Sequence, residues 1–170
     1  MDDALPAAAV VGMADPAHRP SRRAPLMWAL SGAIPWSVLA VGQLVWLVLD
    51  QRLLWLHWLC GLGTVVGAAV AVAVAPLWRY RVHRWEISPQ AVYTRTGWLV
   101  QERRIAPISR VQTVDTQRGP LERLLGLANV TVTTASSAGA VHIVALDSAV
   151  ADQIVAQLTD IAAIGAEDAT

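Results

Sequence analysis

Two long apolar runs near the start of the chain constrain its fold more than any other feature. Residues 26–49 and 53–78 contain no Asp, Glu, Lys or Arg, and only the polar triplet 50–52 separates them. A helix crosses the ~30 Å hydrocarbon core of a bilayer with roughly 20 apolar residues. Each run is long enough, and so short a link requires an antiparallel hairpin. The alternative is a pair of buried helices in a soluble core, but the rest of the chain is too short to enclose both.

The arginines predict the orientation of this hairpin, since the chain contains no lysine. Arginines cluster before the first run, at positions 19, 22 and 23, and after the second run, whereas the link contains only Arg52. Basic residues near the ends of membrane spans favour the cytoplasmic side. We therefore expect a multi-pass membrane protein with both termini in the cytoplasm and residues 50–52 outside it.

One face of the second run consists of small residues at intervals of four, namely Gly63, Gly67, Ala71 and Ala75. Small side chains let helix backbones approach closely, which matters because lipid supplies no hydrophobic drive between helices. We predict that this face packs within the hairpin, and the alternative is packing between copies of the protein. Gln43 and His57 fall at similar depth near the link, so we also expect an interfacial position or a hydrogen bond across the hairpin.

The remaining sequence predicts a disordered cytoplasmic tail over residues 1–25, a cytoplasmic domain over 79–164 and a frayed end over 165–170. Prolines interrupt the first of these segments. After Trp78 the apolar period changes from helical to two, and about six short antiparallel strands follow. Val111 and Val114 are three apart, which predicts a β-bulge. A C-terminal amphipathic helix is expected to run to about Ala163, with an apolar face formed by Val150, Ile154, Leu158 and Ile161.

These elements predict the fold class. A small sheet must bury one face. We therefore expect a membrane α-helical hairpin of two transmembrane helices, followed by a mainly-β, partly closed barrel with a C-terminal α-helix at one end.

The segment 119–127 is predicted to be the most constrained part of this domain. Glycines and a proline delimit a one-turn helix, with Gly119 ending a strand, Pro120 at the first helical position and Gly126 at the C-terminal cap. An apolar face is formed by Leu121, Leu124 and Leu125. We expect at least Leu124 and Leu125 to be buried in the barrel core. In the alternative, these leucines insert into the bilayer or dock on a partner.

Several strings follow one another in a recognisable order. They are Trp85-Glu86-Ile87-Ser88, the segments 92–99, 103–107 and 110–115, and the block Gly-Pro-Leu…Leu-Leu-Gly-Leu at 119–127. Together they resemble the bacterial pleckstrin-homology (PH)-like domain of membrane-flanked, YdbS-like proteins, over roughly residues 79–158. The resemblance implies a PH-like barrel on the cytoplasmic face of a bacterial cell membrane. It implies no catalytic residues and no agreed ligand, so it bears on the fold more than on the function.

The sequence does not predict an enzyme, a cofactor or a metal site. Catalysis needs convergent groups such as a nucleophile with a base or paired carboxylates, and no such pattern is present. His83 and His142 are single residues without a partner at metal-ligand spacing, and the single cysteine, Cys60, lies within the second apolar run. A net formal charge of zero argues against nucleic acid as a partner.

Two groups of arginines are candidate binding residues. The first follows the second apolar run and would lie near anionic lipid headgroups: Arg79, Arg81 and Arg84. The second could line a rim for a phosphate or an acidic peptide: Arg95, Arg103, Arg104, Arg110 and Arg118. Alternatively, the first group only anchors the topology, and the second pairs with the acidic residues Glu86, Glu102, Asp115 and Glu122.

Two functional hypotheses follow from these residues. In the first, the protein is a non-enzymatic, membrane-tethered module whose cytoplasmic surface binds another envelope protein or a second copy of itself. In the second, it is a peripheral binder of anionic lipid headgroups, and an enzyme remains a remote alternative. The expected partners are the lipid bilayer and another membrane protein or a homo-oligomer, and dependence of binding on anionic lipid would separate the two hypotheses.

Overall fold

The structure, a computed structural model, describes residues 15–97, 100–135 and 139–167, with side chains described as far as Ile161. Helices α1, Ala24–Leu49, and α2, Leu54–Val82, form an antiparallel hairpin and are long and apolar enough to cross a membrane. Most of their large apolar side chains are exposed, as a lipid-facing surface requires. α2 passes through a π-helical turn at Val70–Val74 and continues beyond Trp78, where the sequence predicted its end.

The rest of the chain forms two three-stranded antiparallel sheets with two helices. The first sheet has the order β1-β2-β3, with β1 at Arg84–Ile87, β2 at Ala91–Gly97 and β3 at Gln101–Pro107. The second has the order β4-β5-β6, with β4 at Val111–Gln117, β5 at Leu127–Thr134 and β6 at Val141–Asp147. α3, Pro120–Leu125, joins β4 to β5, and α4, Ser148–Glu167, follows β6. No continuous ladder joins the two sheets among the described strands, so they do not close into a barrel, and the expected partial closure holds only loosely.

The larger hydrophobic cluster lies between the sheets and α4. Along β5 the sequence alternates Val130 and Val132 with Thr131 and Thr133, a pattern that predicts burial of the valine side, and both valines are fully buried. Ile154 and Leu158 of α4 close the cluster from the other side. The register of β4 against β5 shifts between Val111 and Thr113, which confirms the predicted bulge. α4 extends to Glu167, past its predicted end near Ala163, and residues 168–170 of the predicted frayed end lie outside the described part.

A second hydrophobic cluster, the junction cluster, joins the hairpin to the domain. It contains Ala24, Met27 and Trp28 from the first turns of α1, together with Leu127 of β5 and Ala145 of β6. Buried apolar side chains from both parts therefore share one core. This packing stabilises a defined orientation of the sheets relative to the hairpin.

The segment 15–23 packs on the domain, so the prediction of a disordered tail over residues 1–25 is wrong for its described part. His18 and Trp85 exchange two backbone hydrogen bonds, at 3.0 and 2.9 Å, which extends the outer edge of β1. Ser21 is buried and its Oγ donates to Asp147 Oδ1 at 2.7 Å. The prolines exclude regular helix from this segment, but they do not exclude contacts with a neighbouring sheet. Residues 1–14 lie outside the described residues.

Helix α3 begins at Pro120 and is closed by Gly126 in the left-handed conformation, at φ 68°, as its sequence predicts. The expected burial of Leu124 is wrong, because this side chain is 77% exposed. Leu121 and Leu125 are half-buried and pack on the junction cluster. Positions four apart share one face of a helix, and here that face meets the domain while Leu124 lies on another.

Candidate binding surfaces at the membrane junction

Two arginines stack on aromatic rings where the hairpin meets the domain. The guanidinium carbon of Arg79 lies 4.5 Å from the centroid of the buried Trp28 ring, and that of Arg19 lies 5.8 Å from the Tyr80 ring. A cation above an aromatic face is stabilised by the negative charge density of the ring. Among the described residues, no carboxylate lies within ion-pair distance of Arg79. Of the predicted membrane-proximal arginines, Arg81 is exposed.

The third of these arginines, Arg84, belongs to β1 and is half-buried. Its Nε is buried and has no hydrogen-bond partner among the described residues. Arg84 therefore lies within the first sheet, whereas Arg79 and Arg81 lie on α2.

His83 lies directly after α2 and is buried at the base of the hairpin. Its Nδ1 is 2.9 Å from the carbonyl oxygen of Arg79, and its ring centroid is 5.3 Å from that of Trp28. Burial lowers the pKa of His83, because it disfavours the charged imidazolium. The hydrogen bond to the Arg79 carbonyl opposes this shift, and the positive charge of Arg79 adds to it.

The lowered pKa of His83 predicts that the folded protein loses stability as the pH falls from about 7.5 to 5.5. The unfolded chain takes up a proton near the ordinary histidine pKa of ~6.5, whereas the folded state resists it, so the free energy of unfolding falls with pH. The measurement is the melting temperature of the full chain in detergent across this range. His83→Asn retains a hydrogen-bond donor without titrating, so its pH dependence should be flatter. Parallel curves for the two proteins would contradict the prediction.

A groove of about 580 Å³ runs along the domain-side half of the hairpin. Its lining includes Trp28, Ser31 and Trp36 of α1, and Ala71, Ala75 and Arg79 of α2. The π-helical turn of α2 borders it through Val70. Apart from Ser31 and Arg79, the side chains named here are apolar or aromatic.

The close helix contact beside this groove involves part of the predicted small-residue face. A Cβ built on Gly67 would overlap the outer end of the Trp36 ring, so a larger residue there requires the ring or the helix to shift. Gly32 of α1 makes a similar close approach to the Ala71 backbone. Gly63 has open space around it, which corrects its assignment to the hairpin contact. Ala71 and Ala75 line the groove.

A second groove, of about 530 Å³, lies near the link between the helices. Gln43 Nε2 donates across the hairpin to the Cys60 carbonyl at 3.2 Å, which confirms the expected cross-hairpin hydrogen bond. His57 Nε2 lies 2.7 Å from the Asp50 carbonyl oxygen, and its ring contacts Trp46 at 4.0 Å. Each of these two side chains bonds to a backbone carbonyl of the hairpin, so both have a structural role at this end.

Three arginines form a row across the outer face of the first sheet. Arg84, Arg95 and Arg103 lie opposite one another in β1, β2 and β3. Like charges in such positions repel. Asp15 offsets this repulsion, because its carboxylate pairs with both Arg95 and Arg103, and Arg95 Nε also donates to the Val82 carbonyl at 3.0 Å.

The other predicted rim arginines lie elsewhere. Arg104 is on the opposite face of β3, where it binds Glu102 and donates to the Ala140 carbonyl at 3.0 Å. Arg118 pairs with Asp152 of α4 at 2.7 Å, and Arg110 is exposed in a short 3₁₀ turn. The structure therefore does not bring the five arginines together into one rim.

The acidic partners also differ from those expected. Only Glu102 of the predicted four pairs with an arginine in the described ion pairs. Sequence patterns missed Asp15 entirely, because no local signal links a residue in a proline-rich segment to a strand far along the chain.

β4 is the outer strand of the second sheet and pairs only with β5 among the described strands. From Thr113 to Gln117 its pairing runs in unbroken register, and most of its side chains are exposed. The outer edge of β1 is extended by His18, and β3 lies beside β6 where the sheets meet. An edge strand with unpaired backbone groups is a template for pairing with another chain.

In the described part of the chain, no group of three or more His, Cys, Asp or Glu residues is placed to hold a metal ion. His142 Nδ1 lies 3.1 Å from the Thr131 hydroxyl on the sheet surface, an ordinary cross-strand contact.

The chain has two helices that can cross a bilayer, and a shared core joins them to two small sheets and a C-terminal helix. This architecture defines a membrane-anchored protein with a PH-like domain. The family model of the bacterial PH domain matches residues 26–162. A transmembrane protein of Bacillus subtilis (strain 168), YdbS, is 33% identical over 146 residues, which cover 84% of this chain and 90% of the relative. The chain belongs to the bacterial PH domain family. No solved structure matches it.

Proposed function

We propose that the protein is a non-enzymatic, membrane-anchored module whose PH-like domain binds a β-strand of another envelope protein or of a second copy. The outer edge of β4 carries this proposal. Strand addition to an exposed edge supplies backbone hydrogen bonds, and side-chain contacts supply specificity. Neither of these contributions requires a catalytic group.

The junction cluster supports the same role. Because Trp28 and Met27 of α1 pack in one core with Leu127 and Ala145, the hairpin holds the sheets in a fixed orientation. A rigidly held edge loses less conformational freedom on binding than a mobile one, which favours association.

A photo-crosslinking experiment in intact cells tests this role. A crosslinking amino acid is placed at Gln112 or Thr116, exposed residues of β4, and at Gln153, an exposed residue of α4, as the matched control. We expect defined adducts from the β4 positions only, and their masses distinguish a second copy from another envelope protein. Equal adducts from Gln153, or none from β4 at equal expression, would exclude β4 as the binding edge.

The arginine distribution leads us to propose that both termini are cytoplasmic. Cysteines placed at Asp50 and at Gly139, in a Cys60→Ala background, should differ in their reaction with an impermeant thiol reagent. In intact cells we expect labelling at position 50 and none at position 139. The reverse pattern would overturn the orientation, and labelling of both after membrane disruption is the control for access.

A second candidate function is the binding of anionic lipid headgroups at the inner face of the membrane. Arg79 favours it, because this arginine is half-buried at the junction without a carboxylate partner among the described residues. A test on a fragment that starts at Arg79 would remove Ala24, Met27 and Trp28 from the junction cluster. Binding is therefore better measured on the full chain.

A further inference from the structure

We propose that the domain-side groove between α1 and α2 binds one anionic phospholipid, with its phosphate at Arg79 and an acyl chain along the groove. The proposal rests on the second candidate function, the binding of anionic lipid headgroups, and it names the site where such a lipid binds. It does not depend on strand addition at β4. The two ideas involve different parts of the molecule and fail separately.

The length of the groove matches one leaflet of a bilayer. Its lining extends from Arg79 at the domain end to Gly67 in the hairpin. At a rise of ~1.5 Å per residue, these positions are about 18 Å apart along α2. Half of the ~30 Å hydrocarbon core is about 15 Å. An acyl chain that starts at the headgroup level near Arg79 would therefore end near Gly67, where the Trp36 ring lies against α2.

The charge at the mouth of the groove selects the headgroup. Arg79 lies over the Trp28 ring and has no ion-pair partner in the described part of the chain. Arg19 stacks on the nearby Tyr80, so the charge at this level of the hairpin is positive. Arginine binds phosphate through charge-assisted hydrogen bonds. A phosphate at this level would compensate the charge of Arg79.

The dimensions of the groove favour a lipid over a second copy of the hairpin. A second helix would pack across the groove and place only side chains in it, whereas an acyl chain can lie along the whole of this 580 Å³ space. A second helix from either apolar span would also cover Arg79 without pairing with it, because neither span contains Asp or Glu. A single acyl chain is narrow and brings a phosphate with it.

The test measures lipid binding by the full chain purified in an uncharged detergent. Phosphatidylglycerol and phosphatidylcholine with the same acyl chains are titrated separately, and the shift in melting temperature and the lipid retained in native mass spectrometry are recorded. We expect tighter binding of phosphatidylglycerol. Arg79→Gln should weaken that binding about tenfold, the effect of losing one charged hydrogen bond, and should remove the preference. Arg79→Lys should retain part of it.

Two matched controls separate the groove from general surface charge. Arg81→Gln removes a neighbouring exposed charge from the same helix turn and should leave the preference intact. Ser31→Phe fills the groove and should reduce retention of both lipids, whereas Ser37→Phe, at an exposed position of α1 outside the groove, should not. Helical circular dichroism confirms that each variant is folded.

Several results would overturn the proposal. Equal affinity of the unmodified protein for the two lipids would exclude selection by Arg79, as would equal losses from Arg79→Gln and Arg81→Gln. Unchanged lipid retention in a folded Ser31→Phe variant would exclude the groove. If that variant instead dissociated a dimer, the occupant would be a second copy.

Discussion

Replacing Leu127 with alanine is expected to lower the melting temperature of the full chain in detergent by at least about 4 °C. Leu127 is fully buried in the junction cluster, which it shares with Met27 and Trp28 of α1. Truncation of a buried leucine costs ~2–5 kcal/mol, out of the ~5–15 kcal/mol that stabilises a typical domain. For a chain of this size each kcal/mol shifts the midpoint by roughly 2–4 °C. Near-ultraviolet circular dichroism reports the loss of tertiary packing.

Leu124→Ala is the matched control for this measurement, since it removes the same atoms from a side chain that is 77% exposed. Its midpoint should change little. Leu125→Ala should give an intermediate loss, because Leu125 is half-buried against the same cluster. A large loss from Leu124→Ala with none from Leu127→Ala would contradict the observed packing of this segment.

Replacing Gly67 with leucine is expected to open the hairpin. Even the first side-chain atom would overlap the Trp36 ring, so the ring or the helix must move. Bulky residues at a close helix contact hold the backbones apart. The domain-side half of the hairpin should then become accessible to protease in the detergent-solubilised protein, and digestion should be several times faster than in the parent.

Gly63→Leu makes the same chemical change four residues away on the same helix. A Cβ there meets nothing within 4 Å, so protease resistance should stay at the parent level. Equal sensitivity of the two variants would show that the effect arises from helix propensity or lipid contact rather than from the contact with Trp36.

Much of the architecture can be predicted from the sequence, because it depends on local periodicity. Apolar runs of sufficient length predict the two helices whatever surrounds them. The alternation through Val130 and Val132 and the helical face of Ile154 and Leu158 predict which sides of β5 and α4 are buried. The glycine at position 126 predicts a left-handed residue at the end of α3, because few other residues adopt that conformation without strain.

The candidate sites depended on contacts that no local pattern contains. A six-residue helix with three leucines has more than one possible apolar face, and packing against α1 selected Leu121 and Leu125 over Leu124. Asp15 pairs with Arg95 and Arg103, which are about half the chain away in sequence, and strand register places Arg104 on the opposite face.

The sequence by itself therefore determined the elements of this protein and their inward sides, since hydrophobic period and backbone preference act between near neighbours. Only the tertiary structure decided which arginines share a surface, which glycine meets Trp36 and where a groove remains between the helices. Those features depend on the distances between elements, and such distances follow from the packing of all their side chains together.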